Sequence, residues 1–386
     1  MSNMTFPIEK LQGLQTPFYY YDTKLLDETL ATIKQELMPN FHVHFAVKAC
    51  TNPKILHHIV EAGFGADCVS GGEVQTCLDA GFPADKIVFA GVGKSDWEIQ
   101  LALKAGIFCF NVESIPELEV INQLASEMGV TANVALRINP NVGAHTHDNI
   151  TTGLAENKFG IAMEHMASIV MRCQELSNVN CVGLHFHIGS QILEMDDFAT
   201  LCLRVNALQE TLETYGIVLP HVNLGGGLGI DYDQPNEHPI ANFKAYFDTF
   251  RRYLRVRPGQ QVHFELGRAI VAQCGNLISR VLYVKETEVK KFAILDAGMT
   301  DLIRPALYGA LHQIENLSNQ EGEETYDVVG PICESSDVFA KAYKMPTTKR
   351  GDLMAIRSAG AYGEVMASQY NCRRLPMSYT DEELNK

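Results

Sequence analysis

The sequence lacks any long uninterrupted apolar run. No stretch approaches the roughly 20 residues that a helix needs to span a bilayer. The N-terminal segment MSNMTFPIEK has neither an apolar core nor a small-residue cleavage site, so it does not read as a secretory signal. We therefore expect no membrane-spanning segment and no secretory leader in this sequence.

Basic residues are in deficit, with 31 Lys and Arg against 46 Asp and Glu and a net charge of −15. An acidic surface repels phosphate groups, which argues against a nucleic acid or membrane partner. The ten cysteines are scattered and include no C-x-x-C pair. That pattern is more typical of a cytoplasmic enzyme than of a disulfide-stapled secreted domain.

Short apolar segments recur between about residues 41 and 268, and helix-like stretches separate them. They are too short for helices and too apolar for exposed strands, as expected of a parallel sheet buried on both faces. The eight segments read FHVHFAVK, FGADCVS, KIVFAGV, IFCFNVE, NVALRINP, CVGLHFHIGS, HVNLGGGLG and QVHFELGR. They predict a closed (β/α)8 TIM-type barrel, with an open doubly wound sheet as the alternative.

Ser-x-x-Glu motifs follow three of the early segments, at Ser70, Ser95 and Ser114. Each is predicted to be a capping box that begins a helix. After about residue 270, four segments read as strands with little helix between them: NLISRVLYVKE, KFAILDAG, YDVVGPIC and DLMAIRSAG. They predict a second, mostly antiparallel β domain that PFYYYD can join. We place the barrel at residues 25–270 and the β domain at residues 1–24 plus 271–386.

The carboxyl ends of barrel strands carry the chemistry of this fold. Lys48 closes the first strand, where desolvation favours the neutral amine that Schiff-base chemistry requires. An ion pair at the rim is the alternative. Glu265 closes the eighth strand, where a buried acid can bond a protonated ring nitrogen. An internal ion pair between Glu265 and Arg268 is the alternative there.

Histidines lie at alternate positions of two segments, at His42 and His44 and at His185 and His187. Alternate residues of a strand face the same side. The pairs leave a metal-dependent hydrolase barrel open as a competing interpretation, although we expect no metal.

A glycine-rich turn follows the seventh strand at Gly225, Gly226 and Gly227. Backbone N–H groups in such a turn can enclose a phosphate, and a tight turn without a ligand is the alternative. An amine, an aromatic stacking partner, a phosphate loop and a ring-nitrogen acid on one rim together indicate pyridoxal 5′-phosphate.

Two clusters of polar residues stand out in the second domain. Arg304 and Tyr308 are four residues apart and can grip a carboxylate. Cys333 stands beside Glu334, and its thiol is a candidate proton donor, with a structural cysteine as the alternative.

These residues lie in motifs that resemble those of the diaminopimelate decarboxylases, in the alanine-racemase-like, fold type III, group of pyridoxal-phosphate enzymes. The motifs are FAVKA, HFHIGSQI, NLGGGLG, ELGR, DAGMTDLIRPALY, GPICESSD and SAGAYG. The resemblance implies a barrel followed by a β domain and a homodimer with shared active sites. It also implies decarboxylation of meso-2,6-diaminopimelate to L-lysine, the last step of lysine biosynthesis.

The resemblance further implies a role for each matching residue. Lys48 would bind the cofactor as a Schiff base, and Cys333, from a second subunit, would reprotonate the decarboxylated carbon. The other implied cofactor contacts are Asp67, His187 on the ring face, Ser190, Gly225, Gly226, Gly227, Glu265 at the ring nitrogen, Leu266, Gly267, Arg268 and Tyr362. The implied substrate contacts are Arg268, Arg304, Tyr308, Glu334 and Tyr362.

The sequence departs from the family at Cys50, where Asn is usual, and at Leu266, where Pro is common. We expect both changes to affect packing alone. The tail beyond Asn371 matches poorly and receives no function. The segment 142–160 is a candidate cover for the barrel entrance.

Other functions of related proteins stay open at this point. A decarboxylase of ornithine, arginine or carboxynorspermidine is the principal alternative. An amino-acid racemase is disfavoured because it needs two bases. A non-catalytic relative is disfavoured because Lys48, Glu265 and Cys333 are all present.

Overall fold

The computed structural model describes residues 6–143 and 158–385, and the chain divides into two units. The first unit comprises Leu30–Gly229 and Asn242–Gly267. The second comprises Met1–Thr29, Ile230–Ala241 and Arg268–Lys386. Most of the candidate cover, residues 144–157, lies outside the described residues.

The elements are numbered in chain order. The strands are β1 Phe18–Tyr21, β2 Phe41–Ala46, β3 Gly65–Cys68, β4 Ile87–Phe89, β5 Cys109–Val112, β6 Ala132–Asn139, β7 Ile161–Ala162, β8 Val179–His185, β9 His221–Asn223, β10 Gln261–Leu266, β11 Gly275–Glu286, β12 Lys291–Leu295, β13 Ile314–Asn316, β14 Glu324–Val329, β15 Val338–Met345, β16 Leu353–Ile356 and β17 Met377–Thr380. The helices are α1 Ile8–Gln12, α2 Thr23–Glu36, α3 Pro53–Glu61, α4 Gly71–Ala80, α5 Asp96–Ala105, α6 Ile115–Glu127, α7 Met166–Glu175, α8 Met195–Thr214, α9 Phe243–Tyr253, α10 Arg268–Val271, α11 Arg304–Tyr308 and α12 Asp381–Leu384.

A closed barrel of eight parallel strands forms the first unit. Its order is β2, β3, β4, β5, β6, β8, β9 and β10, and β10 pairs back onto β2. Each of the eight apolar segments seen in the sequence supplies one of these strands. The (β/α)8 barrel is therefore confirmed, and the open-sheet alternative is wrong.

Capping side chains begin the helices that follow β3, β4 and β5. At Ser95 the box is reciprocal, because the Ser95 backbone N–H donates to the Glu98 carboxylate while the Ser95 side chain accepts from the third helical N–H. At Ser70 and Ser114 the hydroxyl also accepts from the third helical N–H, but the glutamate accepts from the residue before the cap. All three predicted helix starts are confirmed, and one of the three boxes has the full reciprocal pattern.

A mostly antiparallel sheet forms the second unit, in the order β13, β16, β11, β12, β14, β15. The pairs β12–β14 and β1–β17 are parallel, whereas the other five are antiparallel. Strand β1, the predicted PFYYYD strand, pairs with β11 as expected. The tail beyond Asn371 adds β17 to this sheet, and Asp381 accepts hydrogen bonds from the Thr23 backbone N–H and hydroxyl.

The segment 230–241 groups with the second unit, although the sequence assigned it to the barrel. The segment accepts hydrogen bonds from residues of the second unit. Arg357 donates to Asn236 Oδ1 over 3.1 Å, and Gln273 donates to the His238 carbonyl. These contacts join residues far apart in sequence, so the pattern of strands and helices could not indicate them. Within the described ranges, no helix combines the length and apolarity that crossing a bilayer requires.

Candidate active site

Glu265 lies near the carboxyl end of β10, where three side chains from other strand ends converge on it. His185 Nε2 lies 2.9 Å from Oε2. Asn111 and Asn223 donate from Nδ2 to Oε1 over 3.0 and 2.7 Å. Because a carboxylate has about four acceptor positions, the donors among the described residues leave one position on Oε2 for a further donor.

This arrangement fixes the charge of Glu265. Burial by itself raises the pKa of a carboxyl group, but the hydrogen bond and charge of His185, together with the charge of Lys48, hold the pKa of Glu265 well below its usual value. Glu265 is 7% exposed, so hydrogen-bond donors of the protein rather than water stabilise its ionised form. An ionised buried acid of this kind suits a partner that is itself protonated.

Lys48 lies beyond the end of β2, in a single 3₁₀ turn over Val47–Ala49, and its side chain is exposed. The expectation that burial makes this amine neutral is therefore wrong. Charged neighbours act on it instead. Burial and the Glu265 charge raise the pKa of Asp67, whereas Lys48 opposes that rise. Asp67 is 1% exposed and its Oδ1 has no hydrogen-bond partner among the described residues.

His187 and the glycine turn contact one another. The Gly226 N–H donates to His187 Nδ1 over 3.2 Å, and the Gly225 N–H donates to Asn223 Oδ1 over 2.9 Å. His187 must accept at Nδ1, and desolvation together with the Lys48 charge lowers its pKa well below the usual value. The imidazole is therefore neutral and carries its proton on Nε2.

The glycines are required first by close packing. A Cβ on Gly226 would lie 1.7 Å from the Glu265 carbonyl oxygen, and Gly227 has a φ of +105°. The turn also pairs with the loop that contains Ser190, since the Ile192 N–H donates to the Gly227 carbonyl over 2.9 Å. The amides of Gly225 and Gly226 bond to Asn223 and His187 and so support the turn, and contact of this turn with a phosphate stays a prediction.

Leu266 and Gly267 complete the strand end. Leu266 is buried, and a Cβ on Gly267 would lie 3.0 Å from the Ala46 Cβ. Cys50 is buried as well, and its N–H donates to the Val47 carbonyl. Both departures from the family pattern therefore sit in packed positions, as expected.

A second cluster, of arginines and tyrosines, lies wholly in the second unit. Arg268 Nη1 donates to the Tyr232 hydroxyl over 2.7 Å, and its Cζ lies 5.0 Å from the Tyr362 ring centroid. Arg304 lies with its Cζ 4.8 Å from the Tyr232 ring centroid. Tyr308 ends α11, the short helix that Arg304 begins. The predicted residues Arg268, Arg304 and Tyr362 are thus brought together around Tyr232.

Cys333 and Glu334 bond to a different part of the second unit. The Cys333 N–H donates to Asn371 Oδ1 over 3.2 Å, and Glu334 Oε1 accepts from the Tyr370 hydroxyl over 2.6 Å. Both side chains are exposed. Their contacts do not include Arg268, Arg304 or Tyr362 within the part of the chain that the structure describes.

Comparison with known proteins shows the family to which this chain belongs. The family model described as "Pyridoxal-dependent decarboxylase, pyridoxal binding domain" matches residues 24–272. Diaminopimelate decarboxylase of Bacteroides thetaiotaomicron is 65% identical over 381 residues, which cover 98% of this chain and 99% of that protein.

The chain belongs to the pyridoxal-dependent decarboxylases.

Within this family it groups with the diaminopimelate decarboxylases. The solved structure of the Helicobacter pylori enzyme complexed with L-lysine has a TM-score of 0.91 at 39% identity, over 97% of this chain and 93% of that one. The solved structure of diaminopimelate decarboxylase from M. jannaschii in co-complex with L-lysine has a TM-score of 0.87 at 37% identity, over 97% of this chain and 90% of that one.

A lysine/ornithine decarboxylase of Vibrio vulnificus has a TM-score of 0.83 at 23% identity, over 97% of this chain and 97% of that one, a likeness that shows the fold alone. Membership of the pyridoxal-dependent decarboxylases overturns the metal-dependent hydrolase interpretation. In the described ranges, no group of three or more His, Cys, Asp or Glu side chains is arranged to hold a metal ion.

The residues of the barrel rim fit the pyridoxal cofactor of this family. The ionised Glu265 has an acceptor position left, and the neutral His187 has an aromatic face. Asp67 Oδ1 is a buried acceptor with no partner among the described residues. These three features match a bound group that carries donors and a flat ring.

Sequence reasoning missed four residues of the two clusters as functional candidates: Asn111, Asn223, Tyr232 and His312. The signal for the two asparagines was a polar residue within an otherwise apolar strand segment. Tyr232 and His312 lie outside strands and left no such signal. His185 was noticed, but as half of a possible metal pair rather than as a donor to Glu265.

Proposed function

We propose that this chain removes carbon dioxide from meso-2,6-diaminopimelate to give L-lysine, with pyridoxal 5′-phosphate as cofactor. The 65% identity to a diaminopimelate decarboxylase over nearly the whole of both chains carries this conclusion. The amino-acid substrate also agrees with the L-lysine bound in the related solved structure.

The cofactor contacts that we propose are Lys48, Asp67, His187, Ser190, Gly225, Gly226, Gly227, Glu265, Leu266, Gly267, Arg268 and Tyr362. Bound pyridoxal phosphate supplies an electron sink for the pair left when carbon dioxide departs. Glu265 keeps a negative charge at its Oε2, where it can hold a proton donor of the ring. His185, Asn111 and Asn223 hold that carboxylate in one orientation.

Lys48 is proposed as the amine that bonds the cofactor covalently. It lies in the 3₁₀ turn directly after β2, at the carboxyl end of a barrel strand, and its side chain is exposed. Burial raises the pKa values of the neighbouring acids Asp67 and Glu73, and the Lys48 charge opposes this rise in both. Such acids can take up and return the proton that the amine must lose before it reacts.

Arg268, Arg304 and Tyr308, with Tyr362 and Glu334, are proposed to bind the substrate. Arg304 is 5% exposed, and within residues 6–143 and 158–385 its contacts are the neutral groups His312 and Tyr232. A buried guanidinium with neutral partners is costly unless an anion binds it. The carboxylate that the substrate retains is an anion of the right charge, and two arginines can grip it with several donors.

Cys333 is proposed to donate its thiol proton to the carbon that loses the carboxylate, and to do so from a second subunit. The exposure of Cys333 and Glu334 and their separate contacts with Tyr370 and Asn371 support a homodimer with shared active sites. We also propose a cytoplasmic location, which the ten free cysteine thiols suit.

The function is tested by supplying meso-diaminopimelate, ornithine and arginine separately and measuring the carbon dioxide released. We expect release from diaminopimelate alone. Borohydride should fix the cofactor onto Lys48, and peptide mass spectrometry would locate it. Lys48→Ala should lose both the fixation and the activity. Release from ornithine or arginine at a comparable rate would replace this conclusion by the sister decarboxylase.

The shared site is tested by co-expressing Lys48→Ala and Cys333→Ala chains, each inactive by itself. If Cys333 acts across the dimer, half of the dimers are hybrids with one intact site of two, which restores about a quarter of the wild-type activity. No restoration in verified hybrid dimers would place both residues of a site in one chain.

A further inference from the structure

His312 orients Arg304 through a hydrogen bond whose direction is fixed. His312 Nδ1 lies 2.8 Å from the Arg357 carbonyl oxygen, and Nε2 lies 2.8 Å from Arg304 Nη1. A carbonyl oxygen accepts, so Nδ1 must carry the proton. Nε2 is then the acceptor for the guanidinium. The imidazole is anchored on the backbone at one end and holds the arginine at the other.

The charge state of His312 agrees with this direction. Burial, together with the Arg304 and Arg268 charges, lowers the pKa of His312 to about 3. The ring therefore stays neutral at physiological pH and keeps the lone pair that Arg304 needs.

Tyr232 joins the two arginines. Its hydroxyl accepts from Arg268 Nη1 over 2.7 Å, and the Arg304 Cζ lies 4.8 Å from its ring centroid. The electron-rich face of an aromatic ring attracts a guanidinium, which offsets the repulsion between two buried cations. Tyr232 also packs edge-on against His312, with ring centroids 5.1 Å apart.

Tyr232 reaches this position because its segment leaves the barrel. Residues 230–241 follow β9 but group with the second unit, where Asn236 accepts from both Nη atoms of Arg357. Arg357 is the residue whose carbonyl accepts from His312. One arginine thus anchors both the segment of Tyr232 and the ring of His312.

We propose that Tyr232 and His312 are positioning residues that hold Arg268 and Arg304 as a preformed clamp for one carboxylate of the ligand. The inference deepens the proposed function and rests on it for one point, the identity of the ligand that carries the carboxylate. A clamp built in advance loses less free energy on binding than two mobile arginines would. It should therefore select ligands that carry the carboxylate over the matching amines.

The test compares L-lysine with cadaverine, the same diamine chain without the carboxylate, by calorimetric titration of the holoenzyme. His312→Leu removes the acceptor, and Tyr232→Phe removes only the hydroxyl. Each should raise the dissociation constant for L-lysine about tenfold, the effect of losing one charge-assisted hydrogen bond. Neither should change that for cadaverine by more than about twofold.

Two further variants complete the design. His312→Gln supplies a carbonyl oxygen for Arg304 and should recover most of the L-lysine affinity. His238→Gln is the matched control, because His238 is an exposed histidine of the same segment as Tyr232.

The Tyr232→Phe variant decides the matter even if His312→Leu fails to fold. If its affinity for L-lysine and for cadaverine falls equally, or falls for neither, the inference is overturned. Wild-type protein that binds L-lysine no better than cadaverine would overturn it as well. If the wild type prefers L-lysine but releases no carbon dioxide from diaminopimelate, the proposed function fails while the clamp stands.

Discussion

Three histidines, one on each of the barrel strands β2, β9 and β10, should make the protein sensitive to mild acid. His44 Nδ1 lies 3.0 Å from the Lys86 carbonyl oxygen, and His44 Nε2 lies 2.9 Å from His263 Nδ1. His263 Nε2 lies 2.9 Å from His221 Nδ1. The carbonyl can only accept, so each ring in turn donates from Nδ1, and each holds one proton.

An added proton on His44 or His263 would place two donors face to face. Desolvation by burial accordingly lowers the pKa of His44 to about 4 from its ordinary value of 6.5. It lowers the pKa values of His263 and His221 too. A histidine whose pKa is lowered in the folded state does not reduce the free energy of unfolding above pH 6.5. It reduces that free energy increasingly as the pH falls from 6.5 towards 4.

The size of the effect follows from the shift of His44 alone. The unfolded chain binds the proton about 2.5 units earlier, which removes about 2 kcal/mol of unfolding free energy at pH 5 and about 3 kcal/mol at pH 4. His263 and His221 add to the loss with the same sign. Protonation of these three rings therefore removes a large share of the roughly 5–15 kcal/mol that typically stabilises a domain.

Urea unfolding of the holoenzyme at about pH 7.5 and about pH 5 measures this loss. In His44→Leu the difference between the two pH values should shrink by about 2 kcal/mol, although the variant is less stable throughout. His57→Gln is the control, because His57 is an exposed histidine on α3 and should leave the difference as it is. An undiminished pH difference in His44→Leu would refute the reasoning.

Three other changes test the site and its supports. Gly226→Ala puts a Cβ 1.7 Å from the Glu265 carbonyl oxygen, so the purified protein should lose the cofactor's visible absorbance. Gly72→Ala, in an open helical position, should keep it. Ser95→Ala removes a reciprocal cap and should lower the unfolding free energy by about 1 kcal/mol in the same urea assay. Asn111→Leu removes one donor from Glu265, which should weaken cofactor binding at equilibrium, and unchanged binding would contradict the role given to that donor.

The barrel could be predicted from the sequence because its strands are buried on both faces. Such strands read as nearly continuous apolar runs, and all eight were found. The strands β13, β15 and β17 were missed. Strands β13 and β15 end the second sheet, and β17 pairs with β1 alone. Strand β15 exposes about half of its residues. Short or half-exposed edge strands carry polar residues, so their sequences look like loops.

The site was predicted only in part, for a reason of geometry. Lys48, His187 and Glu265 stand at strand ends, which the segment pattern locates directly. The donors to Glu265 come from β5, β8 and β9, and β5 is four strands away from β10 in either direction around the barrel. That contact exists only because the sheet closes, so the polar position of Asn111 in an apolar segment could not show that its partner is Glu265.

The structure also changes the reason why Lys48 is suited to its proposed task. Burial cannot act on an exposed amine, whereas neighbouring charges can. The Lys48 charge lowers the pKa of Glu265 and opposes the rise in the pKa of Asp67, so the amine and the two acids depend on one another. A neutral Lys48 would remove one of the charges that lower the pKa of Glu265, and a protonated ligand group beside Glu265 would replace that charge. The attraction between the charges of Lys48 and Glu265, rather than desolvation of the amine, therefore links the proposed cofactor lysine to the acid proposed to bind the ring nitrogen.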